Sequence, residues 1–103
     1  MKWFLVFIII IHALIHLLGF LKAFQLAEIN QLTQNISKPM GMLWLIALVL
    51  LLTAAVQLIS SNDLWWITAF AAVILSQVLI ILFWQDAKLG TIANIIILLS
   101  VIA

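Results

Sequence analysis

Two histidines, His12 and His16, have the widest chemical repertoire of any residues in this chain. Imidazole is a strong metal ligand and ordinarily titrates near neutral pH. Residues four apart share one face of a helix, so the pair suits side-by-side ligation of one metal ion. The same spacing cannot place them on opposite sides of one haem iron, so a six-coordinate haem would need a partner chain. Haem or metal ligation and a proton relay are the interpretations that the pair leaves open.

The remaining residues offer these histidines little catalytic support. The chain has no cysteine, which excludes disulfides, thiolate metal sites and cysteine nucleophiles but leaves the redox compartment open. The sequence contains no nucleophile elbow, phosphate-binding loop or paired carboxylates, and Glu28, Asp63 and Asp86 all lie outside the apolar runs. We therefore predict that the protein is not an enzyme and holds no cofactor, with a haem at His12 and His16 as the alternative.

The composition predicts that lipid is the solvent for most of the chain. Of the 103 residues, 69% are hydrophobic and 7% are charged, and the mean hydropathy is +1.44. A soluble domain of this size could not bury so much apolar surface. Four lysines, no arginine and a net charge of +1 cannot neutralise several phosphates, so we expect the bilayer and not nucleic acid as a partner.

Four apolar runs divide the chain, at about residues 3–21, 40–59, 64–84 and 89–103. A helix needs about 20 apolar residues to cross about 30 Å of hydrocarbon, and the first three runs have that length. The turns after the second and third runs are short, which makes successive helices antiparallel neighbours. We therefore predict an all-α integral membrane protein, a single antiparallel four-helix transmembrane bundle over residues 1–103. The fourth run is short of a full crossing, so we expect the natural chain to continue past Ala103.

The polar and aromatic residues between the runs predict how the bundle lies in the membrane. Trp65, Trp66 and Trp84 bound the third run, as expected of interface anchors. Residues 22–38 are predicted to form an interfacial connection, and Ser37, Lys38 and Pro39 at its end are typical of a helix start. Three lysines, Lys22, Lys38 and Lys88, fall on one side, and only Lys2 and the terminal amine fall on the other. The positive-inside rule then predicts cytoplasmic lysine-bearing connections and outward-facing termini.

Counting the rise per residue along each run predicts which intramembrane polar groups meet. His16, Gln77 and Asn94 fall at one depth, and His12 falls near the depth of Thr53. We expect a His16–Gln77–Asn94 layer that joins the first, third and fourth helices, with His12 facing Thr53. Small residues of the third helix allow close approach: Ala69, Ala72 and Ser76. Interhelical hydrogen bonding is the simplest role for this layer.

Several short strings resemble the membrane region of a group of uncharacterised bacterial proteins: His16-Leu-Leu-Gly-Phe20, Leu32-Thr-Gln34, Ile36-Ser-Lys-Pro39, Leu75-Ser-Gln77 and Trp84-Gln-Asp-Ala-Lys-Leu-Gly-Thr-Ile-Ala-Asn94. The resemblance implies four helices, which in that group often precede a larger soluble domain, and it implies a bacterial inner membrane. It brings no activity and no catalytic residue. The architecture alone is also similar to the DoxX-like four-helix membrane proteins, and architecture does not carry function.

We therefore predict a non-catalytic accessory or anchoring subunit of a larger membrane complex, or the membrane anchor of a longer protein. Other membrane subunits or further copies of the chain are the expected partners. One alternative is a haem- or quinone-linked electron carrier that uses His12 and His16. Another is a small transporter with a water-lined cavity around His16 and Gln77, although the first helix lacks the carboxylate of the small multidrug transporters. The ligand, the partner and the oligomeric state do not follow from the sequence.

Overall fold

The structure is a computed structural model, and it describes residues 2–26 and 36–102. Within these ranges every regular element is an α-helix: α1 (Lys2–Ala23), α2 (Lys38–Ile59), α3 (Trp65–Leu82), the single turn α4 (Trp84–Ala87) and α5 (Gly90–Ile102). The predicted all-α fold with four long helices is therefore confirmed. The predicted connection 22–38 lies largely outside the described residues.

Each predicted run corresponds to one long helix, with bounds that differ by up to two residues, and the difference at the end of the third run has a structural cause. The sequence predicted a continuous helix to residue 84, but α3 ends at Leu82 because Phe83 leaves helical geometry (φ −118°, ψ 40°). Trp84 then begins the separate turn α4. The predicted start of α2 is confirmed, since the Ser37 hydroxyl accepts from the Met40 N–H (3.4 Å) and proline occupies the first turn.

Both α1 and α2 end in a residue with left-handed backbone geometry. Gln25 follows α1 with φ 56°, and Ser61 follows α2 with φ 58°. In each case the next amide returns to a carbonyl five residues earlier, as in a Schellman motif: Leu26 to Leu21 (2.9 Å) and Asn62 to Gln57 (2.8 Å). These bonds satisfy carbonyls that the helix end would otherwise leave unpaired.

The four long helices form a ring in which α1 and α3 each pack against α2 and α5. At one end of the ring, the Lys2 ammonium donates to the Ile59 carbonyl (3.3 Å) and the Ser61 hydroxyl (3.0 Å). A cation at this position complements the negative end of the α2 dipole. At the other end, Trp44 of α2 packs on Phe83 after α3, with ring centroids 5.7 Å apart. Consecutive long helices are therefore antiparallel.

The apolar core consists of two clusters, one toward each end of the bundle. The larger cluster contains Leu5, Val6, Ile9, Ala13, Leu48, Leu51, Ala54, Ala55, Leu58, Ala69, Ala72, Val73 and Ile97. The smaller cluster contains Ala23, Ile36, Trp44, Ala47, Leu79 and Phe83. Ala69 and Ala72 are fully buried, so the predicted close approach of α3 through small residues is confirmed.

The outer surface of the bundle is rich in large apolar side chains. Large apolar side chains are exposed on every long helix, among them Phe7, Val56, Ile81 and Leu99. Three helices, α1, α2 and α3, are long and apolar enough to cross a membrane. The fourth long helix, α5, has 13 residues, a length of about 20 Å at 1.5 Å per residue.

Candidate functional site

Polar side chains from three helices meet at the centre of the bundle. This central network consists of His12 and His16 on α1, Ser76 and Gln77 on α3, and Thr91 and Asn94 on α5. It lies between the two apolar clusters, since on α3 Val73 belongs to the larger cluster and Leu79 to the smaller one. His12, His16, Ser76 and Asn94 are each at most 2% exposed. Buried polar groups of this kind need partners, and here they supply one another.

The orientation of the His16 ring follows from a backbone carbonyl that can only accept. His16 Nδ1 lies 2.8 Å from the His12 carbonyl oxygen, so Nδ1 carries the proton and donates. In the neutral ring Nε2 is then an acceptor, and it lies 2.8 Å from the Ser76 hydroxyl oxygen. Ser76 therefore donates its single proton to His16 and has only lone pairs left for other partners.

The His12 ring takes the opposite tautomer. Its Nε2 lies 2.8 Å from Asn94 Oδ1 and 3.1 Å from Ser76 Oγ. The amide oxygen accepts only, and the Ser76 proton is already given to His16, so His12 Nε2 must donate. The Asn94 amide nitrogen donates in turn to Ser76 Oγ (3.1 Å) and Gln77 Oε1 (3.0 Å). These bonds join α1, α3 and α5 in one directed network.

Gln77 extends the network toward the edge of the bundle. Its amide nitrogen donates to the Thr91 hydroxyl (3.2 Å), while its amide oxygen accepts from Asn94. The side chain is only half-buried, unlike the four central members. Gln77 therefore fixes the orientation of the Asn94 amide from outside the core.

Trp44 supports the histidines from α2, which contributes no side chain to the central network. Its ring lies 5.1 Å from the His16 ring, and the two histidine rings are 4.6 Å apart in a T-shaped arrangement. Trp44 approaches this closely because Gly19 faces it, and a Cβ atom at Gly19 would overlap the indole ring.

A lateral cavity of about 270 Å³ opens beside the histidines, bounded chiefly by α1 and the segment that contains α4 and the start of α5. Its lining is mostly aliphatic and contains Ile8, Ile11, His12, Ile15, His16, Trp44, Ile80, Ala87, Leu89, Gly90 and Ala93. Two of the lining residues carry a buried ring nitrogen without a hydrogen-bond partner, namely His12 Nδ1 and Trp44 Nε1. Both nitrogens are buried, so the cavity itself presents a mostly aliphatic surface.

The structure brings four of the predicted polar residues together and places the fifth elsewhere. His12, His16, Gln77 and Asn94 all belong to the central network, although the pairing differs from the prediction. His16 bonds to Ser76, and it is His12 that bonds to Asn94. Ser76, which the sequence predicted as an intramembrane polar group and as a small residue but did not place in the layer, supplies the hydroxyl that links the histidines.

The predicted contact between His12 and Thr53 is wrong. Thr53 is exposed on the outside of α2, and its hydroxyl donates to the Val49 carbonyl one turn earlier (2.7 Å). A threonine that satisfies its own hydroxyl in this way can face an apolar surround without an interhelical partner. The predicted anchors lie at helix ends: Trp65 and Trp66 begin α3, and Trp84 begins α4.

The two histidines are poorly arranged to share a metal ion or a haem. Three of their four ring nitrogens form hydrogen bonds within the bundle, which leaves His12 Nδ1 alone. Over residues 2–26 and 36–102, no group of three or more His, Cys, Asp or Glu side chains could hold a metal ion. The lateral cavity, which would have to serve a transporter, reaches His16 but is not lined by Gln77.

Comparison of the chain with protein-family models, with curated proteins and with solved structures found no match.

Proposed function

We propose that the chain is an integral membrane protein whose long helices form a transmembrane bundle. The lengths of α1, α2 and α3 and the apolar outer surface support this placement. Exposed or half-buried tryptophans lie at both ends of α3, where indole rings favour the two interfaces. The shorter α5 crosses where the bilayer thins or where a neighbouring helix covers it. A bacterial inner membrane, with Lys22, Lys38 and Lys88 at the cytoplasmic end, fits the charge distribution.

Within that membrane the chain serves as a non-catalytic accessory or anchoring subunit. The central network supports a structural role, because its hydroxyls, amides and imidazoles bond mainly to one another. Interhelical hydrogen bonds in lipid contribute about 0.6 kcal/mol each on average. Together these bonds hold α1, α3 and α5 in register, which is a structural role.

A polar strip on the outer face of α2 carries this proposal. The strip consists of Thr53 and Gln57, and it lies in a shallow depression that Val49, Leu52 and Val56 complete. Thr53 is exposed, and the buried Gln57 Oε1 has no hydrogen-bond partner. An unpaired buried amide oxygen is unfavourable, so rotation of the half-buried Gln57 side chain toward a donor on another helix would stabilise it. The occupant that we propose is a transmembrane helix of a different subunit that donates a hydrogen bond to Gln57.

The test is to purify the protein from its native membrane in mild detergent. Mass spectrometry then identifies every polypeptide that remains at fixed stoichiometry and measures the intact mass of the chain itself. A constant partner supports an accessory subunit, and an intact mass above 11.6 kDa supports an anchor of a longer protein. A lone chain of 11.6 kDa, or one that copurifies only with further copies of itself, would overturn the proposal of a heterologous partner.

Two matched pairs of variants locate the partner on α2. Val56→Trp places a bulky ring on the polar strip, while Val78→Trp makes the same change on the exposed face of α3. Gln57→Leu removes the unpaired amide oxygen. Gln85→Leu makes the same substitution at an exposed position of α4. Val56→Trp and Gln57→Leu should lower recovery of the partner severalfold, and the two controls should leave it unchanged. Equal recovery in all four variants would place the interface away from α2.

A further inference from the structure

We propose that a second cavity, at the end of the bundle where α1 starts, binds one anionic phospholipid, with the phosphate at Lys2 and the first part of an acyl chain against the apolar lining. This end cavity has a volume of about 400 Å³ and is lined by Lys2, Phe4, Leu5, Leu58, Trp65, Ile96, Leu99 and Ser100. The inference rests on the proposed membrane placement of the chain and does not depend on a partner subunit.

The end cavity opens sideways, toward the surround of the bundle. Its walls are α1 and α5, the neighbouring helices with the least extensive contact in the ring. Leu58 of α2 and Trp65 of α3 line it from behind. Phe4 and Leu99, one on each wall, are 54% and 62% exposed. The α5 wall extends for one helical turn, about 6 Å, so the cavity accepts the upper part of a lipid from the side.

Lys2 gives the end cavity a positive charge that no carboxylate neutralises. Its ammonium donates to the Ile59 carbonyl and the Ser61 hydroxyl, two neutral groups at the exposed surface. Over residues 2–26 and 36–102, no acidic side chain pairs with it. The end of α2 supplies only about half an elementary negative charge. An ammonium has three donors, so one N–H and part of the charge remain for an anion.

Indole rings flank this charge. Trp65 lines the end cavity and is half-buried, and the Lys2 ammonium lies 5.6 Å from the centroid of the Trp3 ring. A cation–π contact leaves the charge of the ammonium in place. Because indole rings favour the level of the lipid headgroups, the two tryptophans hold Lys2 at the depth where phosphates lie.

The occupant must combine an anion with a hydrocarbon body. A water-soluble anion would leave the apolar lining uncovered, whereas a neutral hydrocarbon would leave the ammonium without a counter-ion. A phosphodiester offers several acceptor oxygens for a charge-assisted hydrogen bond and is joined to acyl chains just below it. A zwitterionic lipid carries its own cation, which competes with Lys2. An anionic phospholipid therefore fits both the charge and the lining.

The experiment is a lipid titration of the full chain, purified in mild detergent and followed by native mass spectrometry. The probes are dioleoyl phosphatidylglycerol, which is anionic, and dioleoyl phosphatidylcholine, which has the same chains and no net charge. One phosphatidylglycerol should bind saturably and about tenfold more tightly than phosphatidylcholine, the effect of one hydrogen bond to a charged group. Equal affinity for the two lipids, or binding without saturation, would overturn the proposal.

Three lysine variants locate the charge that selects the lipid. Lys2→Gln removes the charge but keeps an amide donor for Ile59 and Ser61, and it should abolish the preference for phosphatidylglycerol. Lys2→Arg keeps the charge and should retain the preference. Lys88→Gln removes an exposed lysine at the other end of the bundle and should change nothing. A preference that survives in Lys2→Gln, or that Lys88→Gln reduces equally, would place the lipid elsewhere.

A further pair of variants tests the cavity itself. Ser100→Phe places a ring in the end cavity, and Ala71→Phe adds the same ring at an exposed position of α3. Ser100→Phe should weaken binding of phosphatidylglycerol severalfold, and Ala71→Phe should not, with far-UV circular dichroism of both unchanged. Normal binding to Ser100→Phe would overturn the proposal. Displacement of phosphatidylglycerol by an equal concentration of oleate would also overturn it, in favour of a fatty acid.

The outcome is separable from that of the proposed function. The titration uses the isolated chain, so lipid selectivity is decided whether or not another subunit copurifies. Recovery of the chain in washed membranes tests the membrane placement by itself.

Discussion

At the scale of single residues, the centre of this protein depends on one hydroxyl group more than on either imidazole. Ser76 donates to His16 and accepts from both Asn94 and His12, so its oxygen contacts three side chains on two other helices. The two rings do not bond to each other directly, because the single donor of each ring is already engaged, that of His16 with the His12 carbonyl and that of His12 with Asn94. The Ser76 hydroxyl links the two histidines, which have opposite tautomers, into one hydrogen-bond network.

Removing that hydroxyl should destabilise the bundle more than removing a serine hydroxyl elsewhere. We expect Ser76→Ala to lower the free energy of unfolding by about 1–2 kcal/mol, since it leaves His16 Nε2 without a partner and removes one of the two bonds that the Asn94 amide nitrogen donates. Ser100→Ala is the control, because the Ser100 hydroxyl bonds only to the Ile96 carbonyl of its own helix (3.0 Å). Reversible unfolding in mixed micelles measures both. Equal losses would show that the network contributes nothing beyond a local bond.

A second residue-scale prediction concerns Thr53, which the sequence placed against His12. Because its hydroxyl bonds to its own helix and the side chain faces outward, Thr53→Val in the isolated chain should change the free energy of unfolding by less than about 0.5 kcal/mol. The same unfolding measurement applies. A loss as large as that of Ser76→Ala would mean that Thr53 contributes to the core after all.

The central network was predictable in part, and the limit has a physical cause. Counting 1.5 Å per residue gives the depth of each polar group, which correctly grouped the histidines with Gln77 and Asn94. Depth does not give the direction in which a side chain leaves the helix axis. In a soluble helix the polar face reveals that direction, but here exposed Val56 and buried Leu58 are both apolar. Thr53 was therefore placed at the right level and on the wrong side.

At the scale of helices, close packing depends on glycines whose neighbours differ in stiffness. Gly19 faces the rigid indole of Trp44, whereas Gly90 faces the flexible end of Ile80. Replacing a helical glycine by alanine ordinarily favours the helix by about 1 kcal/mol. Gly19→Ala should nevertheless destabilise the bundle by about 1–3 kcal/mol, because the added methyl displaces Trp44 from His16.

Gly90→Ala is the matched control and should be neutral or stabilising. Ile80 can adopt another rotamer, and the contact of 3.3 Å with His12 Cε1 requires only a small adjustment, which a small gain in helix propensity at the first residue of α5 offsets. Unfolding in mixed micelles gives both free energies, and the tryptophan near-UV circular dichroism should change only for Gly19→Ala. Similar stability changes for the two variants would contradict the packing at Gly19.

The end of α1 offers a helix-scale prediction of the opposite sign. Gln25 holds a left-handed backbone (φ 56°) that costs a residue with a side chain about 1 kcal/mol or more relative to glycine. Gln25→Gly should therefore stabilise the protein by about 0.5–1 kcal/mol. Gln85→Gly, the same substitution within α4, should destabilise it or have no effect. Stabilisation by both or by neither would argue against the helix-terminating motif.

The helices themselves follow from the sequence more completely than their packing does. Apolar length set the bounds of α1 and α2 to within two residues, and the Ser37 cap with Pro39 gave the start of α2. The end of α3 was missed because the apolar run continues through Phe83 to Trp84, and hydropathy carries no signal for the break in backbone geometry there. The left-handed positions after α1 and α2 are occupied by Gln25 and Ser61, so the sequence lacks the glycine that usually marks such a helix end.

At the scale of the whole molecule, the two apolar clusters stabilise the bundle, and the central network between them determines how the helices align. Dispersion within the clusters favours many rotations and shifts of one apolar helix along another, because their outer surfaces are nearly uniform. The central network can form in few of these rotations and shifts. A shift of one helix by one turn would leave several donors and acceptors without partners in an apolar environment, which is unfavourable. The network therefore selects one arrangement that the clusters then stabilise.

The charge distribution predicts one direction for the proposed bundle in the membrane. Lys22, Lys38 and Lys88 lie at the end where α1 finishes, α2 starts and α5 starts, whereas Lys2 lies at the other end beside Ile59. The chain has no cysteine, so single-cysteine variants report their position without background. In intact cells, a membrane-impermeant maleimide should label Asp63→Cys, in the turn before α3, and should not label Gln85→Cys until the cells are opened.

Both positions are exposed and lie at opposite ends of α3, so access to the reagent and not burial decides the result. Acidic residues contribute little to orientation, which makes the loss of Asp63 a small perturbation. The reverse labelling pattern would mean that the three lysines face outward. Equal labelling of both would mean that the chain inserts in two orientations, because an excess of two lysines is too small to select one. In that case a Gln85→Lys substitution in the Asp63→Cys background should restore labelling of nearly all molecules, as one more cytoplasmic lysine strengthens the bias.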